Sequence, residues 1–177
     1  MFLELVRQRR SVRRYLPERV APEQVDLLVE AALRAPSSRG IPPWHFVVVS
    51  DRKVLADLAQ AKPHGASFLR DAPLGLVVCA DPAKGDRWVE DAAIATTFVH
   101  LAAASLGLGS CWIQIRGRDR EPGRTASAYV AERLGLPPGM EVEAIVAVGR
   151  PAEHPAPHPR EALPSDRVSY ERFGRGA

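Results

Sequence analysis

Apolar residues recur with helical spacing in some stretches of the chain and run together without interruption in others, and this contrast divides it into elements. Pro22 to Leu33 places Val25, Leu28, Val29, Ala32 and Leu33 on one face, with Pro22 suited to a first turn, which predicts a helix. Pro36, two serines and Gly40 end it, and Pro42-Pro43 keep the chain extended into Trp44–Val49, whose aromatic and β-branched residues predict a buried strand. Ser50 or Asp51 then caps a helix running to about Ala61, with Val54, Leu55, Leu58 and Ala59 inward, and Pro63-His64-Gly65 stops it. Leu74–Ala80 is a second apolar strand closed by Asp81-Pro82.

The stretch from Asp86 to Leu106 reads as a long helix in which Ala92, Ala95, Phe98, Val99, Ala102 and Ser105 repeat at helical intervals. Its many small residues let neighbours approach from most sides, as in the central helix of a domain or at a subunit interface. Cys111–Ile115 follows as a strand, Ala126–Leu134 as a helix ended by Gly135, and Val142–Val148 as the last core strand. Strands separated by helices predict a central sheet with helices on its faces. From about 150 to 177 proline and charge dominate, which predicts an extended arm able to wrap a partner subunit.

With 177 residues, 46% of them hydrophobic, the chain has enough apolar surface for one domain spanning 1–177. A formal net charge of +3 is too modest for a protein that covers long stretches of nucleic acid. No apolar run is long enough to span a bilayer and the first residues lack a leader's apolar core, so a cytoplasmic protein without membrane contact is expected. Cys79 and Cys111 each sit within apolar stretches and read as buried small residues. Metal binding by His154 and His158 needs their four-residue spacing to lie on a helix, which Pro155, Pro157 and Pro159 prevent; no metal is expected.

Chemistry enters with the run Arg9-Arg10-Ser11-Val12-Arg13-Arg14-Tyr15. Guanidinium forks match the paired oxygens of phosphate, so such clustering implies an anionic partner. Where the chain leaves its first amphipathic segment and becomes extended, Arg9, Ser11 and Arg13 share one side by period two. A solvated basic edge, or a grip on nucleic-acid phosphates without catalysis, is the competing reading of the run.

Three further segments lie downstream of this opening: Ala35-Pro36-Ser37-Ser38-Arg39-Gly40-Ile41-Pro42-Pro43-Trp44-His45-Phe46-Val47-Val48-Val49, Gly107-Leu108-Gly109-Ser110-Cys111-Trp112, and Val146-Ala147-Val148-Gly149-Arg150-Pro151. In this order and at these separations the set resembles the nitroreductase family of flavin mononucleotide (FMN) oxidoreductases, over effectively the whole chain. The resemblance implies an α+β fold: a central mixed or antiparallel sheet flanked by helices, in an intertwined homodimer with two flavin sites at the interface. It implies that Arg9 pairs with the FMN phosphate, that Arg10 and Ser11 supply donors nearby, and that Arg13 reaches toward the flavin N1 and C2 oxygen. Pro36, Ser37 and Ser38 match a segment that covers the ring from the other subunit. The asparagine and glutamine frequent in that loop are replaced by Gly40 and Pro42, which leaves hydrogen bonding there to the backbone. Gln114 and Ile115 are implied to bring backbone N–H groups near flavin N5, while Gly149, Arg150, His158 and Arg160 are placed toward the phosphate.

The implied activity is ping-pong hydride transfer: NADH or NADPH reduces the flavin at N5 and leaves, and a nitroaromatic, quinone or similar flat electrophile takes the electrons. No obligatory protein acid, base or nucleophile is expected, because the cofactor carries the chemistry. No Gly-x-Gly-x-x-Gly fingerprint follows any strand, in keeping with a nicotinamide that docks transiently. A dehydrogenase, a dehalogenase or a flavin-fragmenting enzyme on the same fold remains open. His45, inside a strand, reads as structural, and His64 with Lys62 sits in a loop able to line a substrate entrance.

Overall fold

The computed structural model describes residues Met1–Arg175. Four strands form the main sheet: β1 (Trp44–Val49), β2 (Leu74–Ala80), β3 (Gly109–Gln114) and β6 (Glu141–Gly149), in the order β1-β2-β6-β3 with every neighbour antiparallel. The sheet is therefore antiparallel throughout rather than mixed, and the single parallel contact near it is an isolated bridge from Ser11 to Ser110. A small hairpin of β4 (Asp119–Glu121) and β5 (Arg124–Thr125) stands apart, and the alternation of apolar positions gave no sign of it.

β2 and β6 are the inner strands. All of β2 and all of β6 after Glu141 are buried, which is why they read as unbroken apolar runs. Alternation along β2 sends Leu74, Leu76 and Val78 to one face, where they meet Leu28 and Ala32 of α2 (Pro22–Leu33) and Ala92, Val99 and Ala103 of α4 (Trp88–Ser105). Val77 and Cys79 face the other way, toward Leu55 and Leu58 of α3 (Arg52–Leu58), Leu69 of a short helical turn, and Tyr129 and Val130 of α5 (Ala126–Leu134). A sheet between two helical layers results, with both cysteines buried as free thiols.

Two expected boundaries shift. Trp44–Val49 is an edge strand that is only half-buried, because no strand among the described residues pairs with its outer side. The helix capped by Asp51 stops at Leu58 instead of Ala61; Asp51 is the cap, its carboxylate accepting from the N–H groups of Lys53 (2.7 Å) and Val54 (3.1 Å). α5 ends as expected at Gly135, which adopts φ +66°. The arm beyond Gly149 is extended apart from helical turns at Arg160–Ala162 and Ser165–Arg167. No described helix is long and apolar enough to cross a membrane.

Candidate functional site

The basic run leaves α1 (Phe2–Gln8) in an extended conformation and is laid along the outer edge of β3. Val12 donates its N–H to Ser110 O at 3.0 Å, and its side chain is buried. The approach is close because residue 109 is glycine: a Cβ there would stand 2.8 Å from Cβ and Cγ1 of Val12. Tyr15 anchors the far end, its hydroxyl donating to the carbonyls of Val12 and Ala147, and burial pushes that phenol's pKa up.

A second clamp comes from the start of the arm. Leu16 N–H donates to Arg150 O and Ala152 N–H to Arg14 O, both at 2.9 Å, while the Glu153 carboxylate accepts from the N–H groups of Arg13 (2.6 Å) and Arg14 (3.2 Å). Sequence reasoning missed Glu153. An acid in a proline-rich arm looks like a solubilising residue, yet here it fixes the backbone of the arginine run and leaves the guanidinium groups free.

Arg9 and Arg10 are half-buried and face a cleft of about 360 Å³ that Gly109, Ser110, His154 and Pro157 help to line, a volume within the range of small-molecule sites. Among the described residues, no carboxylate lies within ion-pair distance of Arg9, Arg10 or Arg13, although the protein pairs nine other cation–acid couples. Glu153 also lines the cleft, but its carboxylate is engaged by the backbone N–H groups of Arg13 and Arg14, and half-buried guanidinium groups of like charge with no acid at ion-pair distance favour an anion from outside. Arg13 is exposed and lies over the Phe68 ring at 5.9 Å. Ser11 and Arg13 both act on the Cys111 thiol, whose pKa is nonetheless raised, because burial outweighs them.

Behind Arg9 sits a buried pair the sequence did not announce. His100 of α4 places Nδ1 2.7 Å from Ser110 Oγ and stacks on Trp112 with ring centroids 6.3 Å apart. Burial first, and the Arg9 charge second, push its pKa down to about 4, so the ring is neutral at physiological pH and adds no charge to the cluster.

At the other end of β3 the two residues singled out in the sequence separate in role. Ile115 is fully buried and its N–H is committed to Glu143 O at 3.1 Å. Because Ser110 O points outward to Val12, strand alternation turns the main-chain groups of Trp112 and Gln114 toward the same open edge. The Gln114 side chain is occupied: Oε1 accepts from Trp112 Nε1 and Nε2 donates to Arg116 O, both at 2.9 Å. Beneath it lies Glu143, 4% exposed, with Oε2 making no hydrogen bond and Arg116 Nε 3.9 Å away; burial raises its pKa.

Other expected residues fall elsewhere within one chain. Pro36, Ser37 and Ser38 precede β1, at the sheet edge opposite the arginines, and Ser38 N–H is held by the buried Asp91 carboxylate at 2.8 Å. Gly149 is buried where β6 passes Pro73, whose ring atoms lie 2.6 Å from any Cβ added there, so its local duty is packing. Arg150 pairs with Glu18 at 3.1 Å, and His158 and Arg160 are exposed on the arm. His45 is exposed on the edge strand, 3.5 Å from the Lys84 ammonium. Among the described residues, no group of three His, Cys, Asp or Glu side chains is placed to hold a metal.

The sequence model of the Nitroreductase family matches residues 6–62 and 57–150, which include the arginine run, the Pro36–Ser38 loop, β3 and β6. The chain belongs to the nitroreductase family. Among solved structures, an FMN-dependent nitroreductase from Clostridium difficile R20291 superimposes with a TM-score of 0.95 at 39% identity, covering 97% of this chain and 99% of that one. A Methanothermobacter thermautotrophicus protein carrying the name NADH dehydrogenase/NAD(P)H nitroreductase is 33% identical over 97% of this chain and 87% of its own. An FMN reductase [NAD(P)H] of Bacillus subtilis is 30% identical over 92% of this chain and 70% of its own. The nitroreductase fold thus accounts for the sheet and the helices packed on its faces.

Proposed function

We propose that the chain is an FMN-dependent NAD(P)H oxidoreductase that delivers electrons to a flat electrophile such as a nitroaromatic or a quinone. The observation that carries this reading is that Arg9 and Arg10 face one cleft at the open edge of β3, with Arg13 further along the same run, and that among the described residues no carboxylate lies within ion-pair distance of the three. The cluster suits a dianionic phosphate attached to a long polar chain, and the similar Clostridium difficile protein is named FMN-dependent, while the Bacillus subtilis relative is named for reducing FMN.

Bound FMN would supply a hydride acceptor and donor at its N5 ring nitrogen, with no acid, base or nucleophile required of the protein. The residues then do the rest. Arg9 and Arg10 neutralise the phosphate, and Ser11 adds a hydroxyl donor beside them. Arg13, at the other end of the run, would supply positive charge toward the part of the ring that becomes negative on reduction, which would favour the reduced state over the oxidised one. The outward N–H groups of Trp112 and Gln114 are backbone donors at the sheet edge, and the bonds that fix the Gln114 side chain would hold its donor in place.

Completion of the site requires a second copy. Pro36–Ser38 lies across the sheet from the arginines, so the loop would cover the ring of its partner's site in a homodimer. His158 and Arg160, exposed on an extended arm, are free to close toward a phosphate, and Gly149 and Arg150 set where that arm departs. With no nucleotide-binding fingerprint of its own, the nicotinamide would dock on the open face, leave, and be followed by the acceptor, in a ping-pong cycle.

The test is anaerobic titration of the purified protein with NADH and NADPH. Flavin absorption near the visible maximum bleaches with about one equivalent of donor per site and returns on adding a quinone. A protein that stays colourless after incubation with FMN, or whose colour neither donor bleaches, refutes the reading.

A further inference from the structure

The loop between α2 and β1 holds a conformation that its sequence does not favour. Arg39 and Gly40 follow one another at φ +56° and +67°. The Gly40 N–H donates to Ser37 O at 3.1 Å and the Ile41 N–H to Ser38 O at 3.0 Å, so the turn closes on itself. Two successive positive φ angles are the mark of a type I′ turn, whose first position favours Asn, Asp or Gly. Arginine is disfavoured there by its Cβ, and such a conformation persists where its surroundings hold it.

The hold comes from α4. The Asp91 carboxylate, 53 positions away in sequence, accepts from Ser38 N–H at 2.8 Å. Among the described residues this is the one hydrogen bond between residues 36–41 and the rest of the fold. Asp91 is 5% exposed and lies in the first turn of α4, where the positive end of the helix favours an acid. Its neighbour Ala92 is packed against the sheet, which makes the anchor rigid. Arg39, Lys84 and Arg87 share a cavity of about 30 Å³ with Asp91, yet among the described residues no cation lies within ion-pair distance of its carboxylate. The buried acid thus serves the loop rather than an ion-pair network. Because the tether takes the main chain of Ser38, the hydroxyls of Ser37 and Ser38, which make no hydrogen bond among the described residues, are left free for a ligand.

We infer that Asp91 is a positioning residue for the flavin site of the partner subunit, acting through Ser38 to hold the turn at residues 37–40 in the shape that covers the ring. This rests on the reading above of a homodimeric flavin enzyme, in which the loop of one copy lies over the flavin of the other. Without the tether the turn leaves the left-handed region and carries both hydroxyls with it.

The experiment compares the protein as purified with Asp91→Ala, Asp91→Asn, Ser38→Pro and Ser38→Ala by the rate of tryptic cleavage after the exposed Arg39 and by fluorescence titration with FMN. Asp91→Ala removes the acceptor; Ser38→Pro removes the donor at the first position of the helical turn, where a proline ring is tolerated. Each raises the cleavage rate about tenfold, as the loss of one charge-assisted hydrogen bond raises the open population, and each weakens FMN binding about tenfold. Asp91→Asn keeps an acceptor oxygen and Ser38→Ala keeps the N–H, so both are cleaved at close to the wild-type rate. In purified, differently tagged hetero-pairs, Asp91→Ala with Arg9→Ala retains one FMN site of wild-type affinity in two, whereas Asp91→Ala with Ser37→Trp retains none, because Asp91 and Ser37 serve the same loop. Unchanged cleavage in both Asp91→Ala and Ser38→Pro, faster cleavage with FMN affinity intact, or loss of both sites in the Arg9→Ala pair overturns the inference while leaving the flavin reading in place. A wild-type protein that takes up no FMN refutes that reading, and the role of Asp91 with it.

Discussion

Arg9 and Glu143 are opposite cases of the same residue-scale problem, a half-buried or buried charge without a full complement of partners. Arg9 and Arg10 face a cleft in which an anion from outside can pair with them; Glu143 is 4% exposed, and its Oε2 has only Arg116 Nε, 3.9 Å away. Burial raises the Glu143 pKa above the usual 4.5, so the folded protein holds that proton more tightly than the unfolded chain does. The resulting stability is fully present below pH 4.5 and is lost as pH rises through the raised folded value, leaving a net cost at neutral pH. Glu143→Gln should therefore raise the melting temperature at pH 7, by an amount corresponding to about 1 kcal/mol, and give no gain near pH 4. Thermal unfolding of both proteins across that range checks it; a gain independent of pH would show that charge burial is not the cause. None of this was visible in the sequence, where Glu141-Val142-Glu143 looks like ordinary alternation at the start of a strand.

At the scale of elements, the site depends on how closely the extended run lies on β3, and Gly109 sets that distance. Gly109→Ala would force a methyl group to 2.8 Å from the Val12 Cβ, and a branched residue cannot move its Cβ without moving its backbone. The run Arg9–Arg13 would shift as a unit, weakening FMN binding at least tenfold while the sheet, anchored by β2 and β6, still folds. Fluorescence titration with FMN alongside circular dichroism distinguishes the two effects; unchanged affinity would show that the run is not positioned by this contact. The elements themselves were largely legible: α2, β2, α5 and β6 appear where periodicity and capping residues placed them, because each is either strongly amphipathic or wholly buried. What escaped was set by contacts distant in sequence. The hairpin Asp119–Thr125 is held by Arg120 against Gln60 and Tyr129, and the arm by Glu153 against Arg13 and Arg14, pairings for which a local pattern carries no signal.

For the whole molecule, the sheet order separates two groups that the sequence resemblance assigned to one site: the arginine run borders β3 and the Pro36–Ser38 loop precedes β1, at opposite edges. The proposed homodimer, pairing one subunit's arginines with the other's loop, would reconcile them, and makes a prediction about mixed dimers. Arg9→Ala and Ser37→Trp should each lower activity as pure homodimers, whereas co-expressed together they should regain activity in the hetero-pairs, up to about one intact site in two. Rates of purified, differently tagged hetero-pairs test this; activity equal to the mean of the two poor parents would place the loop and the arginines in the same subunit's site. The identity of the electron acceptor was not legible, because open, flat sites discriminate through loops and rim charges rather than through a motif.

The central claim is that the arginines on the edge of β3, with no carboxylate within ion-pair distance of Arg9, Arg10 or Arg13 among the described residues, hold the phosphate of a flavin. The direct measurement is the affinity of the wild-type protein and Arg9→Ala for FMN and for riboflavin, which differ in that phosphate alone. The wild-type protein should prefer FMN strongly, and Arg9→Ala should lose ten- to hundredfold in FMN affinity, about 1.5–3 kcal/mol, with little change toward riboflavin. Equal affinity of the wild-type protein for the two flavins, or a preference untouched by Arg9→Ala, would contradict the account.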